Sequence, residues 1–182
     1  LIVDESRPTT VKRRYRVDNK SLLRVNHFRK HPISKRIQNR ILEYISDNIT
    51  KLDLLILADF NYGFLPDEFV DSLIQIAKQG QTMVVADSQS SSQLGNVGRF
   101  KGVDLVTPTE HEARVSLHDS NSGLVGLAEK LRQSINARHV LLTLNSEGVL
   151  VHAGSDDPWV TDRLPAFCKN PVDPAGAGDC LM

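Results

Sequence analysis

The stretch that decides the fold is Leu52-Asp-Leu-Leu-Ile-Leu-Ala-Asp59. From Leu54 to Ala58 it carries no polar side chain, and it ends in a carboxylate. A continuous apolar run this short suits a strand buried on both faces, as in a parallel sheet. Thr82-Met-Val-Val-Ala-Asp87 repeats the pattern and again ends in an aspartate. Between the two runs, "FNYGFL" (60–65) reads as a loop. Pro66 then suits the first turn of a helix. Phe69, Val70, Leu73, Ile74 and Ala77 form the apolar stripe of that helix, and Gly80 closes it.

The alternation continues in both directions. Downstream come a long polar loop (88–102), a strand at "VDLVTP" (103–108) and a short helix from "TEHEARVSL" (109–117). A further helix is marked by Leu124, Leu127, Ala128, Leu131 and Ile135. "HVLLTL" (139–144) is a strand, "GVLVHA" (148–153) pairs with it, and one more strand is expected at "AFCKNPV" (166–172). Linker-like composition is confined to 88–98 and 153–158. Upstream, Ser34 caps a helix running to about Ile49, with Ile37, Ile41, Leu42 and Ile45 on one face. Residues 9–17 and 21–28 read as a β-hairpin turning at "DNKS". Strands alternating with helices imply an α/β fold, a mostly parallel sheet with helices on both faces, plus the N-terminal hairpin. The expected organisation is a single incomplete domain over 1–182, with the hairpin at 9–28 and the α/β core at 34–182.

Composition narrows the function. Lys plus Arg and Asp plus Glu number 22 each, so the chain is not the basic molecule expected of a general nucleic-acid binder. The two cysteines, Cys168 and Cys180, form neither a disulfide framework nor a CxxC zinc pair. A reducing cytoplasm is the expected compartment. No apolar run approaches the roughly 20 residues needed to cross a bilayer, and no signal peptide is visible. The six histidines lack metal spacing, and neither a GxxxxGK[ST] loop nor a GxSxG elbow occurs.

In such sheets ligands bind beyond the carboxyl ends of the strands. Asp59, Asp87, Thr107-Pro108-Thr109 and Thr143-Leu144-Asn145 all fall there. As bare features, the two aspartates suit the capping of a following turn as well as contact with a ligand. The closing stretch "PVDPAGAGDC" (171–180) joins them. Gly176 and Gly178 allow backbone conformations that side chains forbid. Successive free N–H groups before a helix form an anion site. Asp179 on its rim suits a base that accepts a proton from a hydroxyl attacking a phosphoryl group. Lys12, Arg13, Arg14 and Arg16 crowd the first hairpin strand, as a solvated face or as a contact to an anion.

Three motifs occur in order: "TPTEHEA" (107–113), "LLTLNSEGVLV" (141–151) and "DPAGAGD" (173–179). This trio resembles the ribokinase-like, or phosphofructokinase B, family of carbohydrate kinases. That family carries a TPN-x-x-E element, a T-L-G-x-x-G element and a D-T-x-G-A-G-D signature. "RPTTVKRRY" (7–15), "LLRV" (22–25) and "LADFNYGFL" (57–65) look most like its heptose-phosphate kinases of lipopolysaccharide precursor synthesis. The resemblance implies ATP and Mg²⁺ as cofactors and a sugar or sugar phosphate as acceptor. It implies no nucleic-acid or membrane partner, and a homodimer is compatible with it. Asp179 matches the catalytic base; Gly176, Ala177 and Gly178 match the anion hole, and Asp173, which opens the same motif, is assigned to nucleotide binding. Glu112 matches the acidic residue organising Mg²⁺ and its waters. Thr143, Asn145 and Gly148 match the nucleotide-side loop, and Lys12 and Arg14 match the basic hairpin near the sugar phosphate.

The departures are specific. Pro174 stands for the usual Thr and removes an N–H donor. Thr109 stands for Asn and cannot make the amide contacts. Asn145 stands for the first Gly, at a position where Asn tolerates left-handed backbone. Ser88-Gln89 stand where the subfamily often has Pro-Lys. These changes leave two other readings open: a nucleotide- or sugar-binding relative without turnover, and a kinase for another sugar or nucleoside. Kinases of the family are longer than this chain at both ends. The excerpt alone is therefore expected to bind ATP poorly and turn over little.

Overall fold

The computed structural model describes residues 1–17, 20–89, 95–154, 161–168 and 181. Two sheets form. The first is a hairpin of β1 (Val11–Val17) and β2 (Lys20–His27), antiparallel, with an irregularity between Tyr15 and Arg16. Alternation along β1 divides its faces sharply. Val11, Arg13, Tyr15 and Val17 share one face with Leu23 and Val25 of β2, while Lys12, Arg14 and Arg16 share the other with Arg24 and Asn26.

The second sheet has six strands in simple chain order: β3 (Leu54–Asp59), β4 (Met83–Ser88), β5 (Leu105–Val106), β6 (His139–Thr143), β7 (Val149–Ala153) and β8 (Thr161–Leu164). β3 to β6 are parallel; β7 and β8 run antiparallel to their neighbours. The mostly parallel α/β class expected from the apolar runs is the class observed. The crossovers are helical: α1 (Lys35–Asn48) precedes β3, α2 (Asp67–Gln79) joins β3 to β4, and α3 (Glu110–Leu117) and α4 (Leu124–Ile135) join β5 to β6.

Local chemistry sets the element ends. Ser34 caps α1, its hydroxyl accepting from Ile37 N–H. Pro66 sits at the N-cap of α2, one residue before the first turn, at φ −61°. Gly80 ends α2 in right-handed geometry, and a β-carbon there would run into the Ile49 side chain. Close approach of α1's exit is thus what demands glycine, rather than a left-handed cap.

The apolar stripes of α2, α3 and α4 meet Leu57, Val84, Ala86, Val106, Val140, Leu142 and Leu150 in one core cluster, with α1 packed onto it through Ile37, Ile41, Leu42 and Ile45. In register these strand residues share one sheet face. On the other face Leu54, Ile56 and Met83 are exposed. Among the described residues, then, the helical layer lies on one side of the sheet and not on both faces as expected, because β3 to β6 follow in chain order and same-handed crossovers all fall on the same side.

Two segments differ from expectation. Val97–Arg99 is a 3₁₀ turn, and Val97, Phe100 and Val103 are buried core residues. The end of the polar loop is therefore an anchor, although its composition reads as linker. Of the strand expected over 166–172, Ala166–Cys168 are not in a strand and 169–172 lie outside the described residues; among the described residues the edge strand is Thr161–Leu164. Its Asp and Arg are tolerated because β8 is nearly all exposed.

Candidate functional site

The carboxyl ends of β3 to β6 lie on one edge of the sheet because those strands are parallel. Beyond β5, Thr107 is fixed by its N–H donating to Ala86 C=O (3.3 Å), and Thr109 forms a bridge with Thr143 at the end of β6. Thr143 N–H donates to Pro108 C=O at 2.9 Å. Two of the sequence motifs, far apart in the chain, are thereby joined side by side.

Thr109 opens α3 through a capping box. Its hydroxyl oxygen accepts from Glu112 N–H (3.1 Å), while Glu112 Oε2 accepts from Thr109 N–H (2.8 Å) and from the Thr109 hydroxyl (2.9 Å). Glu112 is only 7% exposed. The expected metal-organising carboxylate is thus locked at a helix start on the strand-end edge. Threonine at 109 cannot make amide contacts, but it ties down the glutamate.

The Thr143–Gly148 turn follows β6. Asn145 takes φ 53°, the left-handed geometry that its residue type tolerates. Leu144 N–H donates to Gly148 C=O at 2.8 Å, closing the turn. Gly148 has φ 98° and ψ −133°, and its Cα faces the backbone leaving β8. Glycine here is required by that close approach.

Across the sheet, at β3, lies a second cluster. Asp59 is 3% exposed. Its Oδ1 accepts from Asn61 N–H (2.9 Å), so the turn-capping role holds, and its Oδ2 faces Arg99 Nη2 at 3.4 Å. Burial pushes the Asp59 carboxyl above its ordinary range, against the opposing pull of the Asn61 N–H and Arg99. Arg99 also donates to Leu65 C=O and pairs with Asp67 at 3.3 Å. Nothing in the polar composition of 88–102 pointed to this arginine. Asn61, at φ 59°, donates its side-chain N–H to Gln89 C=O (2.7 Å).

The hairpin leans on this cluster. The Lys12 ammonium stands 4.7 Å above the Phe60 ring and 5.3 Å from that of Tyr62, and Phe28 stacks on Tyr62 at 4.4 Å. A cleft of about 560 Å³ opens beside them, walled by Arg7, Thr9, Thr10, Asp59, Phe60 and Phe64 among others. The aromatic cradle was foreshadowed only by the unusual aromatic density of "FNYGF". Arg14 lies two residues beyond Lys12 on the same hairpin face, directly opposite Arg24.

With strands about 4.8 Å apart, the β3 cluster stands roughly 10 Å from the α3 capping box and roughly 14 Å from the Thr143 turn. Of the residues singled out by sequence, Glu112, Thr143, Asn145 and Gly148 are therefore grouped, with Lys12 and Arg14 on the opposite flank. Asp173, Gly176, Ala177, Gly178 and Asp179, with Pro174, lie outside the described residues. Among the described residues no three His, Cys, Asp or Glu side chains gather as a metal cage. Nor, among them, is any helix long and apolar enough to cross a membrane.

The family model described as pfkB family carbohydrate kinase matches residues 3–182. Bifunctional protein HldE from Helicobacter hepaticus is 30% identical over 186 residues, covering 100% of this chain and 37% of that protein. The chain thus spans under two-fifths of the length of that relative. Among solved structures, ribokinase from Giardia lamblia superposes with a TM-score of 0.71 at 18% identity, over 96% of this chain and 54% of that one. Phosphofructokinase-2 from Escherichia coli in complex with fructose-6-phosphate gives 0.58 at 16%, over 85% and 50%. These two likenesses establish the fold.

Proposed function

The chain belongs to the pfkB family of carbohydrate kinases, and from that premise we propose that the protein carrying it phosphorylates a sugar or sugar phosphate, with heptose 7-phosphate as acceptor and ATP as donor. The observation that carries the reading is the joining of the Thr107–Glu112 and Thr143–Gly148 elements at one edge of parallel strands, with a cationic hairpin on the opposite flank. This is the layout a transfer between two bound molecules requires: donor on one side, acceptor on the other.

Phosphoryl transfer is catalysed chiefly by positioning and charge neutralisation. In this reading the Thr143–Gly148 turn lies against the nucleotide. The amides of Gly176, Ala177 and Gly178, in the loop that Asp173 opens, receive the charge on the transferred group. Asp179 takes the proton of the attacking hydroxyl. Mg²⁺, when bound, neutralises phosphate charge; it keeps several waters and few protein ligands. Glu112 fits an outer, water-mediated role, since its Oε2 is already committed to Thr109. Lys12 and Arg14 face the acceptor's phosphate. Directly opposed Arg14 and Arg24 repel one another, and a bound anion offsets that repulsion.

The exposed Val11, Tyr15, Val17 and Leu23 on the hairpin's far face favour a homodimer. The cytoplasm, where ATP and the sugar phosphate meet, is the compartment of this reading. A binding protein without turnover is favoured by one observation: Thr109, at the position where the family motif carries Asn, offers no side-chain amide and is committed to a helix cap. The deciding experiment incubates the full-length protein with ATP, Mg²⁺ and a panel of sugars and sugar phosphates. ADP and a new phosphorylated product, fastest with heptose 7-phosphate, are expected. Calorimetric binding with no product would establish the binding protein instead, and preference for an unphosphorylated sugar would overturn the role given to the hairpin.

A further inference from the structure

His152 is fully buried on β7, and its two ring nitrogens bridge two other elements. Nε2 lies 2.7 Å from Glu129 Oε2 on α4, and Nδ1 lies 2.8 Å from the Thr161 hydroxyl on β8. The glutamate is itself held by Arg132, through Nε to Oε2 at 2.7 Å and Nη2 to Oε1 at 2.9 Å, and by Gln133 at 2.5 Å. Arg132, followed by His152 and Gln133, holds the Glu129 carboxyl down to about 2. Glu129 is therefore an ionised acceptor, and the proton on Nε2 points at it. Nδ1 shares the second hydrogen bond with the Thr161 hydroxyl, so both ring nitrogens are engaged.

What this chain of contacts holds is an otherwise poorly anchored strand. β8 has four residues; Thr161 is half-buried and Asp162, Arg163 and Leu164 are exposed. It therefore gains almost nothing from apolar burial. Among the described contacts its attachments are the ladder to β7, an exposed ion pair from Arg163 to Glu147, and the Thr161–His152 bond. Only the last is made to a fully buried side chain. Beyond Leu164 the chain runs on toward the Asp173–Asp179 stretch.

We propose that His152 is a positioning residue: oriented by Glu129, it tethers Thr161 and so fixes β8, the strand from which the chain continues to the loop carrying Asp179. The catalytic part of this inference rests on the kinase reading; the tether itself does not. A displacement of about 1 Å at a reacting group can cost on the order of 10²-fold in rate, so a loosened β8 is expected to be felt as turnover.

The test uses the full-length protein with Thr161→Val, which keeps the shape and removes the hydroxyl, and Thr161→Ser, which restores it. Amide hydrogen exchange at β8 is expected to quicken in Thr161→Val, with β6 unchanged, and to return to the wild-type rate in Thr161→Ser. Assayed well below the melting midpoint, kcat is expected to fall about tenfold or more in Thr161→Val while KM for ATP stays within about twofold, with rescue by serine. Unchanged exchange at β8, or a kcat equal to wild type, would overturn the proposal. If the wild-type protein forms no product, the kinase reading fails, and exchange at β8 still decides the tether.

Discussion

Gly148→Ala separates the architectural demand at the Thr143–Gly148 turn from any ligand contact. The glycine occupies φ 98° and ψ −133°, a region essentially closed to side-chain-bearing residues. Strain of this kind costs about 1–3 kcal/mol. In addition, the new β-carbon would stand 2.7 Å from Ala166 N and from Pro165 C, and nearer still to the Leu164 carbonyl oxygen. These are backbone atoms that cannot rotate away, so a further ~1–3 kcal/mol is expected from overpacking. The sum is roughly 2–6 kcal/mol. With a urea m-value of about 2 kcal/mol/M, the unfolding midpoint should fall by roughly 1–3 M at unchanged m. Circular dichroism in urea, on the full-length protein, reads this directly. A midpoint shift below about 0.3 M would show that β8's exit does not crowd Gly148, and the account of this turn would be wrong.

Other consequences follow from particular contacts. Glu112→Gln keeps an acceptor oxygen for Thr109 but removes the charge; stability should change by less than about 0.5 kcal/mol, while the Mg²⁺ concentration for half-maximal activity rises. Glu112→Ala loses the reciprocal cap and should cost about 1 kcal/mol in urea unfolding; equal Mg²⁺ dependence in wild type and glutamine variant would remove Glu112 from the metal's surroundings. Because the Glu129 carboxyl is held down from 4.5 to about 2, its contribution to stability is present above its unfolded value. That contribution is lost as pH falls from about 4.5 toward 2; Glu129→Gln should flatten this part of the stability–pH curve, measured by urea titration at each pH. Tyr15→Glu on the exposed hairpin face should shift sedimentation from dimer to monomer, and a wild-type protein that sediments as a monomer would dispose of the homodimer.

Much of this was legible in the chain because the relevant signals were local. The β3 and β4 runs have no polar interruption, Ser34 sits directly before the α1 stripe, and Asn145 occupies a turn position that wants left-handed backbone. What was hidden depended on neighbours distant in sequence. "TDRL" has no apolar pattern, since β8 is an edge held by β7 and one buried imidazole. Val97 and Phe100 are core anchors dispersed in a polar loop, where composition averages them away. Glu129 and Arg132 look like the solvated face of a helix until β7 brings His152 against them. Arg99 meets Asp59 across 40 residues of chain that no periodicity spans. At the site, the motifs identified the residue types and their order, but not that Glu112 doubles as the cap of its own helix.

The transfer chemistry itself is tested most directly by Asp179→Asn in the full-length protein, measuring kcat for sugar-phosphate phosphorylation beside the calorimetric affinity for ATP. A fall in kcat of about 10²–10⁴-fold with ATP affinity unchanged is the predicted result. Wild-type turnover in that variant would contradict the account.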